Sequence, residues 1–183
     1  MKALVCFLLL LLLLLATLPS PTRSFEFPAR EMADLIDQTC RLTPFYDLCI
    51  SSLRSDPGSG AADVRGLARI MAGSVLASAS RTLDRIQELL GQAPDPETER
   101  PLAYCAELYI PVVKYTLPQA IEALGKGQLG FAVYGLSDAG KEAQACEKNF
   151  SGLSWSPVTD VNEQVRDLVD VALAIIKILQ RSF

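Results

Sequence analysis

Five cysteines, 21 Asp and Glu, and not one histidine set the chemistry open to this 183-residue chain. Without histidine there is no Ser-His-Asp or Cys-His relay, no imidazole metal ligand and no imidazole switch near neutral pH. A carboxylate pair of the kind that flanks a scissile glycosidic bond is conceivable by number alone. The acids, however, are spread along the chain beside basic residues, as in Arg81 to Asp84 and Arg85 to Glu88. That is the pattern of solvated helix faces. Gly125-Lys126-Gly127 lacks the spacing and the Ser/Thr of a phosphate loop and reads as a helix-ending turn. With 17 Lys and Arg and a formal charge of −4, the chain has no basic surplus for nucleic acid. The reading is a binding protein, not an enzyme, with no metal and no cofactor.

The cysteines carry the remaining covalent chemistry, and their compartment comes from the first residues. Met1-Lys2 is followed by fourteen apolar residues from Ala3 to Ala16, eight of them consecutive leucines. This run is shorter than the roughly 20 residues that span a bilayer. Pro19, Pro21 and small residues through Ser24 complete the layout of a secretory signal peptide, residues 1–24, cut after Thr22-Arg23-Ser24. Cys6 leaves with it, and Lys2 and Arg23 leave without any acid, so residues 25–183 are more acidic still. No later segment is long enough to span a membrane. Four cysteines in a secreted chain imply two disulfides, with three connectivities open.

Four amphipathic stretches must position them. Val64, Leu67, Met71, Val75, Ala79, Leu83, Ile86 and Leu90 keep a 3–4 spacing up to Gly91. Leu102, Cys105, Tyr109, Val112, Thr116 and Ala120 form a second stripe. Leu129, Ala132, Leu136, Ala139, Ala143, Cys146 and Phe150 form a third. The fourth opens at Ser156-Pro157, read as N-cap and first helical residue, and runs through Val161, Val165, Leu168, Ala172, Ile175 and Leu179. One apolar stripe per helix and short breakers between helices predict an all-α, up-down-up-down four-helix bundle over 58–183. Pro111 and Pro118 should kink the second helix.

Folding the second and third helices about Lys126 brings Cys105 and Cys146 to one level, which makes them the natural pair. Cys40 and Cys49 cannot share one straight helix, because nine residues at 1.5 Å rise would hold them about 13 Å apart. Bonded cysteines keep their Cα atoms within about 7 Å. Thr43-Pro44 supplies a turn, so Glu31 to Ser55 reads as a helical hairpin closed by Cys40–Cys49, within an N-terminal extension over 25–57.

Tyr104, Tyr109 and Tyr115 should pack against neighbouring helices, and Trp155 should cap the end of the bundle. Asn149-Phe150-Ser151 is an N-glycosylation acceptor triplet, with Phe150 on the core stripe and Asn149 turned outward.

An ordered set of these residues resembles a known family. It begins with Cys40-Arg41-Leu42-Thr43-Pro44-Phe45-Tyr46-Asp47-Leu48-Cys49 and Leu53-Arg54-Ser55-Asp56-Pro57, then Ala62-Asp63 and Leu67-Ala68. It continues through Leu102 to Cys105 with Tyr109, Leu117 to Leu124, and Cys146-Glu147 with Phe150. Asn162, Val165, Leu168 and Val171 to Ile175 complete it. Together they resemble the plant invertase inhibitor and pectin methylesterase inhibitor domain over nearly all of residues 25–183. The resemblance implies a helical hairpin before a four-helix bundle, disulfides 40–49 and 105–146, and no catalysis. It implies one-to-one binding that blocks the carbohydrate cleft of acid invertase or of pectin methylesterase, in the cell wall or the vacuole.

Thr43 to Tyr46 and Leu117 to Leu124 look more like the invertase-inhibiting branch, with pectin methylesterase as the alternative target. In that branch a Pro-Lys-Phe motif before the third helix enters the invertase cleft. Leu129, Gly130 and Phe131 stand there in this chain, so the phenylalanine is retained. Lys126, Gln128, Leu129, Gly130 and Phe131 are therefore the expected target contacts. With no histidine, pH can act on the complex from this side only through carboxylates, Glu122 and Glu142 among them.

Overall fold

The computed structural model describes residues 29–92 and 94–181, with side chains described from residue 35. The signal segment 1–24 and its cleavage site lie outside the described residues. Among the described residues seven α-helices follow in order: α1 (Ala29–Cys40), α2 (Tyr46–Arg54), α3 (Val64–Gly91), α4 (Pro96–Pro111), α5 (Leu117–Gly125), α6 (Leu129–Lys148) and α7 (Thr159–Arg181). A 3-10 turn at Ser59–Ala61 precedes α3, and a π turn at Val112–Thr116 joins α4 to α5. No strand occurs among the described residues.

The hairpin of α1 and α2 turns at Thr43-Pro44. Thr43 caps the first helix by donating its hydroxyl to the Cys40 carbonyl at 2.8 Å. The Cys40–Cys49 bond then joins the helices with their Cα atoms 5.5 Å apart. Asp37 takes hydrogen bonds from Arg41 at 2.7 Å and from the Tyr46 hydroxyl. Those two partners, Arg41 first, hold the Asp37 carboxyl below the usual range.

Local chemistry starts the bundle helices. Asp63 opens α3 by accepting the Gly66 amide at 2.7 Å. Asp95 opens α4 by accepting the Glu97 and Thr98 amides, with Pro96 at the first helical position, where its missing N–H costs nothing. The expected start of the last helix is two residues early. It begins at Thr159, because the Ser156 hydroxyl accepts the Val158 amide in a turn and donates to Glu147 instead of capping a helix at Pro157.

The buried stripes are those of the sequence: Leu67, Met71, Val75 and Ile86 from α3, Leu102 and Cys105 from α4, Leu136 and Cys146 from α6, Val165 and Ile175 from α7. The kink expected at Pro111 and Pro118 takes the form of the π turn between them. Pro118 offers no N–H to the carbonyl four residues back, and one turn widens so that α5 can continue. Of the three tyrosines expected to pack, Tyr109 is buried while Tyr104 and Tyr115 are exposed. Trp155, expected to cap the bundle, is 67% exposed, because the loop before α7 turns it outward.

One polar cluster crosses this core. The Tyr109 hydroxyl donates to Asn162 Oδ1 at 2.8 Å, and Asn162 Nδ2 donates to Glu147 Oε2 at 2.9 Å. Thr159 and Ser156 donate to the same carboxylate at 2.6 and 3.2 Å. Asn162 Nδ2 also lies 3.3 Å from Cys146 Sγ, beside the Cys105–Cys146 bond. Thr82 of α3, fully buried, lies 3.5 Å from the Val161 carbonyl. Among the described residues no buried side-chain nitrogen or oxygen lacks a partner. Burial, before the nearby Glu147 charge, pushes the Tyr109 hydroxyl well above the ordinary tyrosine range.

Chain-entropy arithmetic gives roughly 2.7 kcal/mol for the short-loop disulfide and roughly 4 for the long one. The bond beside the polar cluster is thus the stronger staple. Asn162→Ala leaves Tyr109 and Glu147 without their shared partner. It should lower the denaturant midpoint by the equivalent of about 2–3 kcal/mol, against about 1 for Tyr109→Phe. Equilibrium unfolding of both variants checks this, and equal costs would contradict it.

Candidate functional site

The turn between α5 and α6 lies at the end of the bundle opposite the polar cluster. Helix α5 stops because Gly127 takes a positive φ of 72°, a conformation glycine adopts without strain. The Gln128 amide then reaches back to the Ala123 carbonyl at 2.8 Å, closing the helix end in a Schellman-like arrangement. Helix α6 begins at Leu129.

This geometry divides the expected contact residues. Lys126 and Gln128 are exposed on the turn, and Phe131 is 74% exposed, an unusual state for a large apolar ring. These three line one groove, with a volume of about 560 Å³, between α5 and α6. Leu129 packs against the core instead, because it lies on the inward stripe with Ala132. Gly130 is exposed but stays outside the groove lining.

The groove adds residues that the spacing around Phe131 could have revealed. Tyr134 and Asp138 stand three and seven positions beyond Phe131, on the same helical face. Tyr134 is 72% exposed, and both residues line the groove with Gln119 and Glu122 from α5. The floor is a close helix approach. A β-carbon on Gly135 would stand 2.9 Å from Ala120 Cβ and 3.2 Å from the Thr116 carbonyl oxygen. Glycine there brings α6 against the π turn and α5, leaving Phe131 and Tyr134 on the rim.

The charges on this face differ in their setting. Lys126 Nζ pairs with Glu122 Oε1 at 2.5 Å, and that partner holds the Glu122 carboxyl below its ordinary range. Both side chains are well exposed, so the pair contributes little to stability. Glu142, one turn beyond Asp138, is shifted the other way, first by loss of hydration and then by the Asp138 charge. Asn149 ends α6 at its far end, exposed, with Nδ2 donating to the Ala145 carbonyl at 2.8 Å. Helix α6 is 20 residues long, which puts the acceptor triplet about 30 Å from the turn at 1.5 Å per residue. Among the described residues no His/Cys/Asp/Glu group could hold a metal ion, and no helix is long and apolar enough to cross a membrane.

The sequence profile of the plant invertase/pectin methylesterase inhibitor family matches residues 34–175, and the chain belongs to that family. Among its relatives, the cell wall / vacuolar inhibitor of fructosidase 1 of Arabidopsis thaliana is 37% identical over 141 residues, covering 77% of this chain and 67% of that protein. The pectinesterase inhibitor of Actinidia deliciosa is 31% identical over 150 residues, covering 81% and 80%. A crystal structure of a mutant pectin methylesterase inhibitor from Arabidopsis shares the fold with a TM-score of 0.67 at 22% identity, covering 78% of this chain and 95% of that one.

Two glycines five positions apart should respond oppositely to one methyl group. Nothing lies within 4 Å of a β-carbon at Gly130, so Gly130→Ala should raise stability by about 0.5–1 kcal/mol. Gly135→Ala forces α5 and α6 apart and should lower it by about 1–3 kcal/mol. Thermal melts check the pair, and shifts of the same sign would contradict the packing described.

Proposed function

We propose that this chain is a secreted inhibitor of a plant acid invertase, a β-fructofuranosidase, which it binds one-to-one through the turn between α5 and α6. A single observation carries the reading: Phe131 and Tyr134 stand out from the bundle beside a groove, on an element stiffened by a glycine turn and a close helix approach. Exposed aromatics on a rigid support lose little entropy on docking and are the usual anchors of binding hot spots. The relative that inhibits a fructosidase, at 37% identity, favours a β-fructofuranosidase as the target. Residues 25–183 act as one inhibitor domain that is not an enzyme, delivered by the signal segment to the cell wall or vacuole. A glycan on Asn149 would sit at the far end of α6 and leave the turn open.

Pectin methylesterase is the second reading. Leu129 and Gly130 replace the proline and lysine of the invertase-directed motif, and pectinesterase inhibitors are also among the relatives. Titrating the purified protein against an acid invertase and a pectin methylesterase side by side separates the two readings. Invertase activity should fall to zero at one equivalent, with the pectin methylesterase unaffected; the reverse pattern would reject the first reading. Phe131→Ala should weaken inhibition more than tenfold, about 1.4 kcal/mol, with an unchanged melting temperature. A stable variant that inhibits like wild type would show that Phe131 is not the anchor.

Acid should strengthen the complex. The raised Glu142 carboxyl takes up its proton earlier than an ordinary carboxylate as pH falls, and the proton removes negative charge from the α6 face. Glu122, lowered by Lys126, stays ionised through the same window. The dissociation constant should therefore fall from about pH 7 to about pH 5, with a flatter slope in Glu142→Gln and an unaltered one in Glu122→Gln. Wild-type affinity independent of pH would contradict this.

A further inference from the structure

The end of the bundle that carries Phe131 also carries two arginines from a different helix. The Asp63 cap sets the first turn of α3, where Arg65 stands. Because α3 runs antiparallel to α4 and α5, that turn lies beside residues 125–128. Around Gly127, Arg65 Nη1, Cζ and Nη2 lie 3.6, 3.9 and 4.0 Å from the position a β-carbon would take. Three guanidinium atoms at nearly equal distance mean that the planar group lies across the glycine. A β-carbon there would sit in ordinary contact with the guanidinium, and the positive φ of 72° makes 127 a glycine position, so the residue that lets the helix turn also lies beneath the arginine.

Among the described residues no ion pair includes Arg65, whereas Lys126 on the same turn is tied to Glu122. Asp63, two positions away, turns its carboxylate to the Gly66 amide. Arg69, one turn further along α3, reaches within 4.0 Å of the β-carbon position at Gly125. In a chain of net charge −4, this end presents cationic groups that its own acids leave uncompensated.

We propose that Arg65, seated on Gly127, is the specificity-determining cation that this inhibitor presents to an acidic cleft of its target enzyme. The proposal rests on the reading of the turn as the inhibitory surface. A glycosidase cleft holds a pair of Asp/Glu side chains around the scissile bond. A guanidinium meets a carboxylate with two parallel hydrogen bonds, which fixes orientation as well as charge. Held against Gly127 and half-buried, Arg65 has less freedom to lose than a fully extended side chain.

The test measures inhibition constants of the full-length protein against an acid invertase from about 50 to about 300 mM NaCl, a range over which exposed charge pairs are progressively screened. Arg65→Gln should weaken inhibition at least tenfold at low salt, flatten the salt dependence and leave the melting temperature in place. Arg65→Lys should restore the salt dependence but only part of the affinity. An Arg65→Gln variant with the inhibition constant and salt dependence of wild type overturns the proposal. So does a variant that inhibits less while keeping the wild-type salt dependence, since that marks a merely structural role. Phe131→Ala in the same series separates the two ideas. If it weakens inhibition while Arg65→Gln does not, the cation proposal falls and the inhibitory turn stands. If the wild type does not inhibit invertase at all, the target reading itself falls.

Discussion

The bundle depends on one buried constraint, the polar cluster of Tyr109, Asn162 and Glu147 packed beside the Cys105–Cys146 bond. A hydroxyl and an amide taken out of water, and a half-buried carboxylate beside them, must find one another, and only one register of the helices lets them. Apolar stripes alone tolerate sliding by a turn, because leucine replaces leucine at little cost. The cluster and the covalent bond remove that freedom where α4, α6 and α7 meet, and Thr82 adds α3 through its approach to the Val161 carbonyl.

Fixing one end leaves the other free to carry exposed features. From the disulfide, α4 and α6 run side by side toward the turn at 125–128. The proline-bounded π turn shifts the line of the second helix, and Gly135 lets α6 close against Thr116 and Ala120. The groove and its rim of Phe131 and Tyr134 are what these two devices produce together. A straight second helix, or any larger residue at 135, would change how deeply that groove is cut. The groove face is thus built from backbone geometry first and side chains second, which suits the docking role proposed for it.

Much of this was legible in the sequence where the signal was local and periodic. The stripes from Val64 to Leu90 and from Leu129 to Phe150 were readable because burial repeats every three to four residues. The same hairpin arithmetic paired Cys105 with Cys146. Boundaries were harder. Ser156-Pro157 has the chemistry of a helix start, but its hydroxyl is taken by Glu147, a residue on another helix that no local rule can weigh. Trp155 was expected to cap the end of the bundle, yet the direction of a loop is set by what its ends are tied to. Tyr134 lies within helical spacing of Phe131, but its role depends on the groove that Gly135 opens between α5 and α6, which the local pattern does not show. The contact of Arg65 with Gly127 joins residues 62 positions apart, and neither a lone arginine nor a glycine signals it.

The central claim is that the end held by the polar cluster is the rigid support and the end at 125–138 is the surface that meets the target. Amide hydrogen exchange of the disulfide-intact protein, alone and with one equivalent of acid invertase, tests it directly. The amides around 105–109, 146–147 and 162–165 should exchange slowly in both samples. New protection should appear at 125–138 and in the first turn of α3. Protection gained instead around Trp155 or in the α1–α2 hairpin, with 125–138 unchanged, would contradict the account.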